Sequence, residues 1–237
     1  MTGRSSARRD EVAANLARVR ERIVAACGDS GRDPAEVTLV VVTKFFPVSD
    51  VRLLAELGVT DLGENRHQEA EAKAAECRDL DVRWHFVGGL QSNKAAAVAT
   101  YADVVESVDR RKLVSRLDQG AHGRSRPVDC LIQVSLDDPD AEGRSGAAPA
   151  DVPALAEAIE AAGMLRLRGL MAVAPLGVDP RGPYQRLSAI HADLVALRPE
   201  ATWLSAGMSA DLEEAVRAGA THVRIGTAIL GSRPQVK

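Results

Sequence analysis

Lysine is scarce in this chain. Of 30 basic residues only Lys44, Lys73, Lys94, Lys112 and Lys237 are lysines, and the rest are arginine. Arginine therefore supplies generic positive charge. A lysine inside an apolar segment calls for a chemical reason, because an amine can deprotonate and attack a carbonyl whereas a guanidinium cannot. Cysteine is scarce as well: Cys27, Cys77 and Cys130 are far apart and outside any Cys-x-x-Cys or Cys/His ligand spacing. That argues against a disulfide scaffold and a structural zinc, and fits a reducing cytoplasm. No apolar run approaches the roughly 18 to 20 residues of a membrane span. A net charge of −3 offers neither a basic nucleic-acid surface nor an acidic tail. The N-terminus lacks an apolar signal core and turns acidic at Asp10 and Glu11, so it reads as mature sequence.

What is present is a regular alternation. Val12, Leu16, Val19 and Ile23 form one apolar stripe on a predicted helix from Ser6 to Cys27. The run Thr38 to Lys44, TLVVVTK, is too short for a helix and too apolar for a half-exposed strand, so it predicts a strand buried on both faces, as in a parallel sheet. Strand and helix signals then alternate to the end, giving eight strands at about 30 residues per unit, the number and size of a (β/α)8 TIM barrel. A doubly wound open sheet is the alternative α/β arrangement. After the eighth strand only GSRPQVK remains, too little for a last helix, so the N-terminal helix is expected to complete the outer ring. Residues 1–237 read as a single domain, with Gly/Pro/Asp-rich connections after the fifth and sixth strands.

In such a barrel the chemistry belongs at the C-terminal ends of the strands. Lys44 is the sharpest residue there: it is either a nucleophile at the mouth or a strand-end lysine whose amine reaches solvent. LSAGMS (Leu204 to Ser209) and RIGTAI (Arg224 to Ile229) run from strands into small residues. Their N–H groups and hydroxyls, at Gly207 to Ser209 and at Gly226 and Thr227, suit a phosphate. A tight turn capped by Ser209 is the plainer reading. Barrel closure sets the first strand beside the eighth, so Lys44 would share a mouth with these loops and Arg224. A carbonyl-reactive amine beside a phosphate cradle suggests pyridoxal 5'-phosphate or a phosphosugar held as a Schiff base. His85 is a ligand contact or a hydrogen-bonded core histidine, and Tyr101 and Tyr184 read as packing residues.

VVTKFFP around Lys44, LGENRHQE from Leu62, WHFVGGLQSNK from Trp84, GRSGA from Gly143, RLRGLMAV from Arg166, LSAGMSADLEEAV from Leu204 and VRIGTAILGSR from Val223 occur in order along nearly the whole chain. Together they closely resemble the pyridoxal-phosphate homeostasis protein family. The resemblance implies the barrel of fold-type III pyridoxal-phosphate enzymes such as alanine racemase, without their additional β-domain. It also implies that Lys44 carries the cofactor as a Schiff base, with Ser209, Gly226 and Thr227 at the phosphate. Arg224 is implied near the pyridine nitrogen and Asn65 in the pocket wall, with His85, Ser205, Gly207 and Met208 among the cofactor-binding positions. Ala206, where a methionine is common, and Gly89, where a bulkier residue is common, are mild departures. The implied role is cofactor homeostasis and amino-acid balance without established catalysis, in a cytoplasmic monomer with transient contact to pyridoxal-phosphate apo-enzymes.

Two other functions compete. An amino-acid racemase needs a second acid/base opposite the lysine, for which Tyr101, Tyr184 and His85 are the available groups. An aldolase-like barrel needs acidic partners at several strand ends, for which Glu64 and Asp109 are available.

Overall fold

The computed structural model describes residues 2–137 and 146–232. A long first helix, α1 (Thr2–Asp29), precedes β1 (Thr38–Val42), α2 (Val48–Glu56), β2 (Asp61–Glu64), α3 (His67–Glu76), β3 (Arg83–Phe86), α4 (Ala95–Tyr101), β4 (Val104–Val108) and α5 (Arg111–Ala121). Then come β5 (Val128–Gln133), α6 (Val152–Glu160), β6 (Leu165–Met171), α7 (Arg181–Leu197), β7 (Trp203–Ser205), α8 (Leu212–Arg217), β8 (His222–Ile225) and α9 (Thr227–Leu230). The eight strands are parallel and close in sequence order into a barrel. The expected (β/α)8 architecture is thus the observed one, and the open sheet is excluded by the pairing of β1 with β8.

The predicted stripe on α1 is buried, with Val12, Leu16, Val19 and Ile23 at most 5% exposed. It packs over the β1/β8 seam against Val41, Val223 and Ile225 and against Leu212 and Val216 of α8. The N-terminal helix therefore takes the vacant place in the outer ring, and each such side chain stabilises by about 1.5–3 kcal/mol on burial. One helix was not expected: α9, a single turn after β8. Four residues carry no readable periodicity, and the turn is completed by α1, where Asn15 Nδ2 donates to the Ile229 carbonyl (2.8 Å) and Arg8 Nη2 to that of Leu230 (3.0 Å).

Inside the barrel a polar chain crosses the lumen. His85 Nδ1 faces Glu106 Oε1 at 2.8 Å and Nε2 faces Asp61 Oδ1 at 2.9 Å. Ser205 Oγ donates to Glu106 Oε2 (2.6 Å) and accepts from Arg224 Nη1 (2.6 Å), while Arg224 Nη2 donates to the Ala172 carbonyl (2.9 Å). An imidazole between two carboxylates must donate from both nitrogens. Burial works against its charge, but the Asp61 and Glu106 hydrogen bonds outweigh burial and raise the His85 pKa. Burial would push the Glu106 carboxyl up, yet His85 and then Arg224 pull it down to about 2. Val104, Leu131 and Met171 fill the remaining lumen, packed against Trp203.

His222 behaves oppositely. Burial lowers its pKa to about 4, and its ring lies 4.4 Å from that of Trp203. Unfolded, the residue takes a proton near its ordinary 6.5; folded, it stays neutral down to about 4. Through this group native stability is lost as pH falls across that interval. In His222→Gln the urea unfolding free energy should therefore fall less steeply than in wild type between pH 6.5 and 4, by one proton's worth of slope. An equal or steeper slope would show His222 to be charged in the fold.

Candidate functional site

Strand register assembles the mouth. β1 pairs with β8 as Val40↔Arg224 and Val41↔Ile225, so Lys44, two residues past the end of β1, leaves the barrel at the same end as Gly226 and Thr227. Lys44 is half-buried, and among the described residues its amine has no hydrogen-bond or ion-pair partner. Asn65 follows β2 directly, and its Oδ1 is buried without a partner among the described residues. Arg224 stands on β8 with its guanidinium fixed by Ser205 and Ala172.

The loop after β7 is shaped by one glycine and held from behind. Gly207 has φ of 90°, and a Cβ there would stand 2.6 Å from that of Ala215, so glycine is required. At Gly226 an added Cβ would stand 3.1 Å from the Val42 carbonyl oxygen. Asp211 accepts from the Met208 N–H (2.6 Å) and from the Tyr184 hydroxyl (2.6 Å). From α1, Arg22 Nη2 donates to the Ser209 carbonyl (3.1 Å) while the guanidinium pairs with Glu213 (2.6 Å). The Ser209 and Thr227 hydroxyls are left without partners among the described residues.

Several expectations change here. Ser209 does not cap α8; Asp211 holds the N-cap position, with its carboxylate turned back to Met208. The Met208 N–H is consequently occupied, and its side chain is exposed. His85 is not at the mouth: it is 1% exposed, with both nitrogens committed to carboxylates inside the barrel. Ser205, fully buried, bridges Glu106 and Arg224. Lys44, Asn65, Gly207, Ser209, Arg224, Gly226 and Thr227 do come together around the ends of β1, β2, β7 and β8. Of the sequence blocks, Gly143 to Ser145 and Arg233 lie outside the described residues.

Residues that sequence reasoning missed stand behind Lys44. Lys73 is 5% exposed on α3, and its ammonium donates to the Thr43 carbonyl (2.8 Å), Glu64 Oε1 (2.6 Å) and Glu69 Oε1 (2.8 Å). All three of its donors are thereby used. Burial raises the Glu64 pKa against the pull of Lys73 and Thr43. Phe45 adopts φ of 71°, the one positive value at a non-glycine residue among the described residues, at a cost of about 1–2 kcal/mol. Arg66 lies over its ring at 4.9 Å. The rarity of lysine and the spacing of four from Glu69 were signals for Lys73; nothing in the sequence marks Phe45.

The groups that competing functions require are engaged elsewhere. Tyr184 is 1% exposed and bound to Asp211, while Tyr101 stacks on His67 with ring centroids 6.0 Å apart. Glu64 is paired with Lys73, and Asp109 with Arg110. Among the described residues no helix is long and apolar enough to cross a membrane, and no cluster of three His, Cys, Asp or Glu side chains could hold a metal.

The family model for the alanine racemase N-terminal domain matches residues 8–234. The pyridoxal phosphate homeostasis protein of Pseudomonas aeruginosa is 42% identical over 222 residues, covering 94% of this chain and 96% of its own. That of Mycobacterium tuberculosis is 40% identical over 243 residues, covering 95% and 94%. PipY of Synechococcus elongatus, solved with PLP bound, superposes with a TM-score of 0.79 at 37% identity, covering 93% of this chain and 100% of that one. The chain belongs to the alanine racemase N-terminal domain family and to the pyridoxal phosphate homeostasis proteins within it.

Proposed function

We propose that this chain binds pyridoxal 5'-phosphate at the barrel mouth, attached to Lys44, and serves in cofactor homeostasis rather than in turnover. The observation that carries this reading is a lysine amine without a partner among the described residues, set by the β1/β8 seam at the same barrel end as the Gly207 loop and the Gly226 turn, whose Ser209 and Thr227 hydroxyls are likewise without partners among the described residues. The buried Asn65 Oδ1, without a partner among the described residues, fits a bound group. When bound, the cofactor supplies an aldehyde that condenses with an amine with loss of water, a phosphate and a pyridine nitrogen. Lys44 would take the aldehyde, Ser209, Thr227 and neighbouring main-chain N–H groups the phosphate, and Arg224 the ring nitrogen. An arginine cannot release its proton there, so the ring stays a weak electron sink. The reading extends to a cytoplasmic monomer that exchanges cofactor with apo-enzymes and meets amino acids at the same mouth.

Attachment is tested by borohydride reduction and peptide mapping. The pyridoxyl group should be found on Lys44, and Lys44→Ala should lose the visible absorption band; an adduct on Lys94 or Lys112 would sink the assignment.

The phosphate cradle is tested by removing its hydroxyls. Ser209→Ala with Thr227→Ala loses two hydrogen bonds to a charged acceptor, about 1.5–3 kcal/mol each before water compensates. Pyridoxal phosphate binding should weaken more than tenfold while pyridoxal binding is unchanged. Equal loss for both ligands would place the phosphate elsewhere.

Racemisation requires an acid on the face opposite Lys44. Tyr101 and His85 are engaged away from the mouth, and the Tyr184 hydroxyl, beside the loop after β7, is given to Asp211, which supports a site that exchanges amino acids without deprotonating them. Proton NMR of L-alanine in deuterated water should show no enzymatic loss of the α-hydrogen with wild-type protein. Rapid, Lys44-dependent exchange with loss of chirality would favour a racemase instead.

A further inference from the structure

We infer that Glu69 and Lys73 are positioning residues for Lys44, gripping the chain on both sides of it from behind the barrel wall and so setting where its amine stands. The inference rests on the proposed attachment at Lys44. Nothing among the described residues bonds the Lys44 side chain itself, so its direction is inherited from the backbone of its neighbours. Those neighbours are held by one ionic cluster. Before Lys44, the Thr43 carbonyl accepts from Lys73 Nζ (2.8 Å) and the Thr43 hydroxyl donates to Glu64 Oε1 (2.6 Å). After it, the Phe45 N–H donates to Glu69 Oε1 (2.6 Å), an oxygen that also takes Lys73 Nζ (2.8 Å).

The conformation needs such a grip. Phe45, with φ of 71°, occupies a region that a bulky side chain leaves when it is free to do so. A strained residue persists only where its surroundings over-determine it. Released, Phe45 would return to the extended region, and the turn Thr43 to Phe46, closed by the Phe46 N–H on the Thr43 carbonyl (3.0 Å), would open and carry Lys44 from the mouth. Glu69 and Lys73 lie one turn apart on α3, which begins two residues after Asn65. One helix thus references the lysine to the end of the neighbouring strand β2, where Asn65 stands.

Glu69→Ala and Lys73→Met test the grip. Lys73→Met strips a buried carboxylate of its counter-charge, and should it fail to fold, Glu69, with a side chain 24% exposed, carries the test. The first measurement uses cofactor-free protein: hydrogen exchange at the Phe45 and Phe46 amides should accelerate in the variants. The second compares pyridoxal phosphate with pyridoxine 5'-phosphate, which has an alcohol in place of the aldehyde. Glu69→Ala should weaken the aldehyde about tenfold and the alcohol less than about twofold. Adding Phe45→Gly should recover most of the loss, because glycine adopts the turn without strain. Unchanged exchange at Phe45, or equal loss for the two ligands, overturns the inference. A wild-type adduct on another lysine overturns the attachment at Lys44, and the exchange measurement still decides whether the cluster holds the turn.

Discussion

The site depends on the seam where the last strand returns to the first. Parallel strands carry their connections on the outside, so a sheet of eight can share one mouth only if it closes. Here closure is made by four register pairs from Thr38↔His222 to Val41↔Ile225. They put residues 184 positions apart in sequence side by side, so that Lys44 and Gly226 follow their strands at one end of the barrel. α1 stabilises this seam twice, by its apolar stripe over Val41, Val223 and Ile225 and by its polar ends on α9 and on the loop after β7. The first helix therefore supports the mouth from outside the barrel.

Beneath the mouth, charge is arranged rather than avoided. Asp61, His85, Glu106 and Arg224 alternate in sign along one line of contacts, so these four groups balance one another in charge. Each would be costly alone, and removing one would leave its neighbour buried and uncompensated. The arrangement explains why Arg224 is rigid: Ser205 and Ala172 take its donors, and Glu106 lies 3.7 Å away with its own carboxyl held far below the usual range.

What was legible in the sequence follows from the range of the forces involved. Alternating strands and helices, the stripe on α1 and the glycine-shaped loops are local patterns, and Lys44 stood out because this chain uses arginine elsewhere. The grip of Lys73 on Thr43 spans 30 residues and exists only once α3 packs on β1. Asp211 displaced Ser209 as the cap because its carboxylate also had Tyr184 of α7 to bind, a partner no local pattern supplies. His85 was open between ligand contact and core residue, and two carboxylates from neighbouring strands decided for the core. Phe45 was illegible for the same reason: its conformation is imposed by Glu69 and Arg66, against its own preference.

These two ionic assemblies divide the work. The lumen chain fixes Arg224, a donor with no proton to give, while the cluster behind the wall holds the backbone around an amine that has no partner among the described residues. On the proposed reading the lysine is placed to capture an aldehyde, and the ring that follows meets a partner that does not draw electrons from it. Racemisation at an α-carbon would need an acid or base on each of its faces. The tyrosines that could shuttle are instead used as structural ties, Tyr184 to the loop after β7 and Tyr101 to His67 outside the barrel. On the proposed reading such a site holds and exchanges a cofactor, with the same polar groups that would shuttle a proton spent on rigidity.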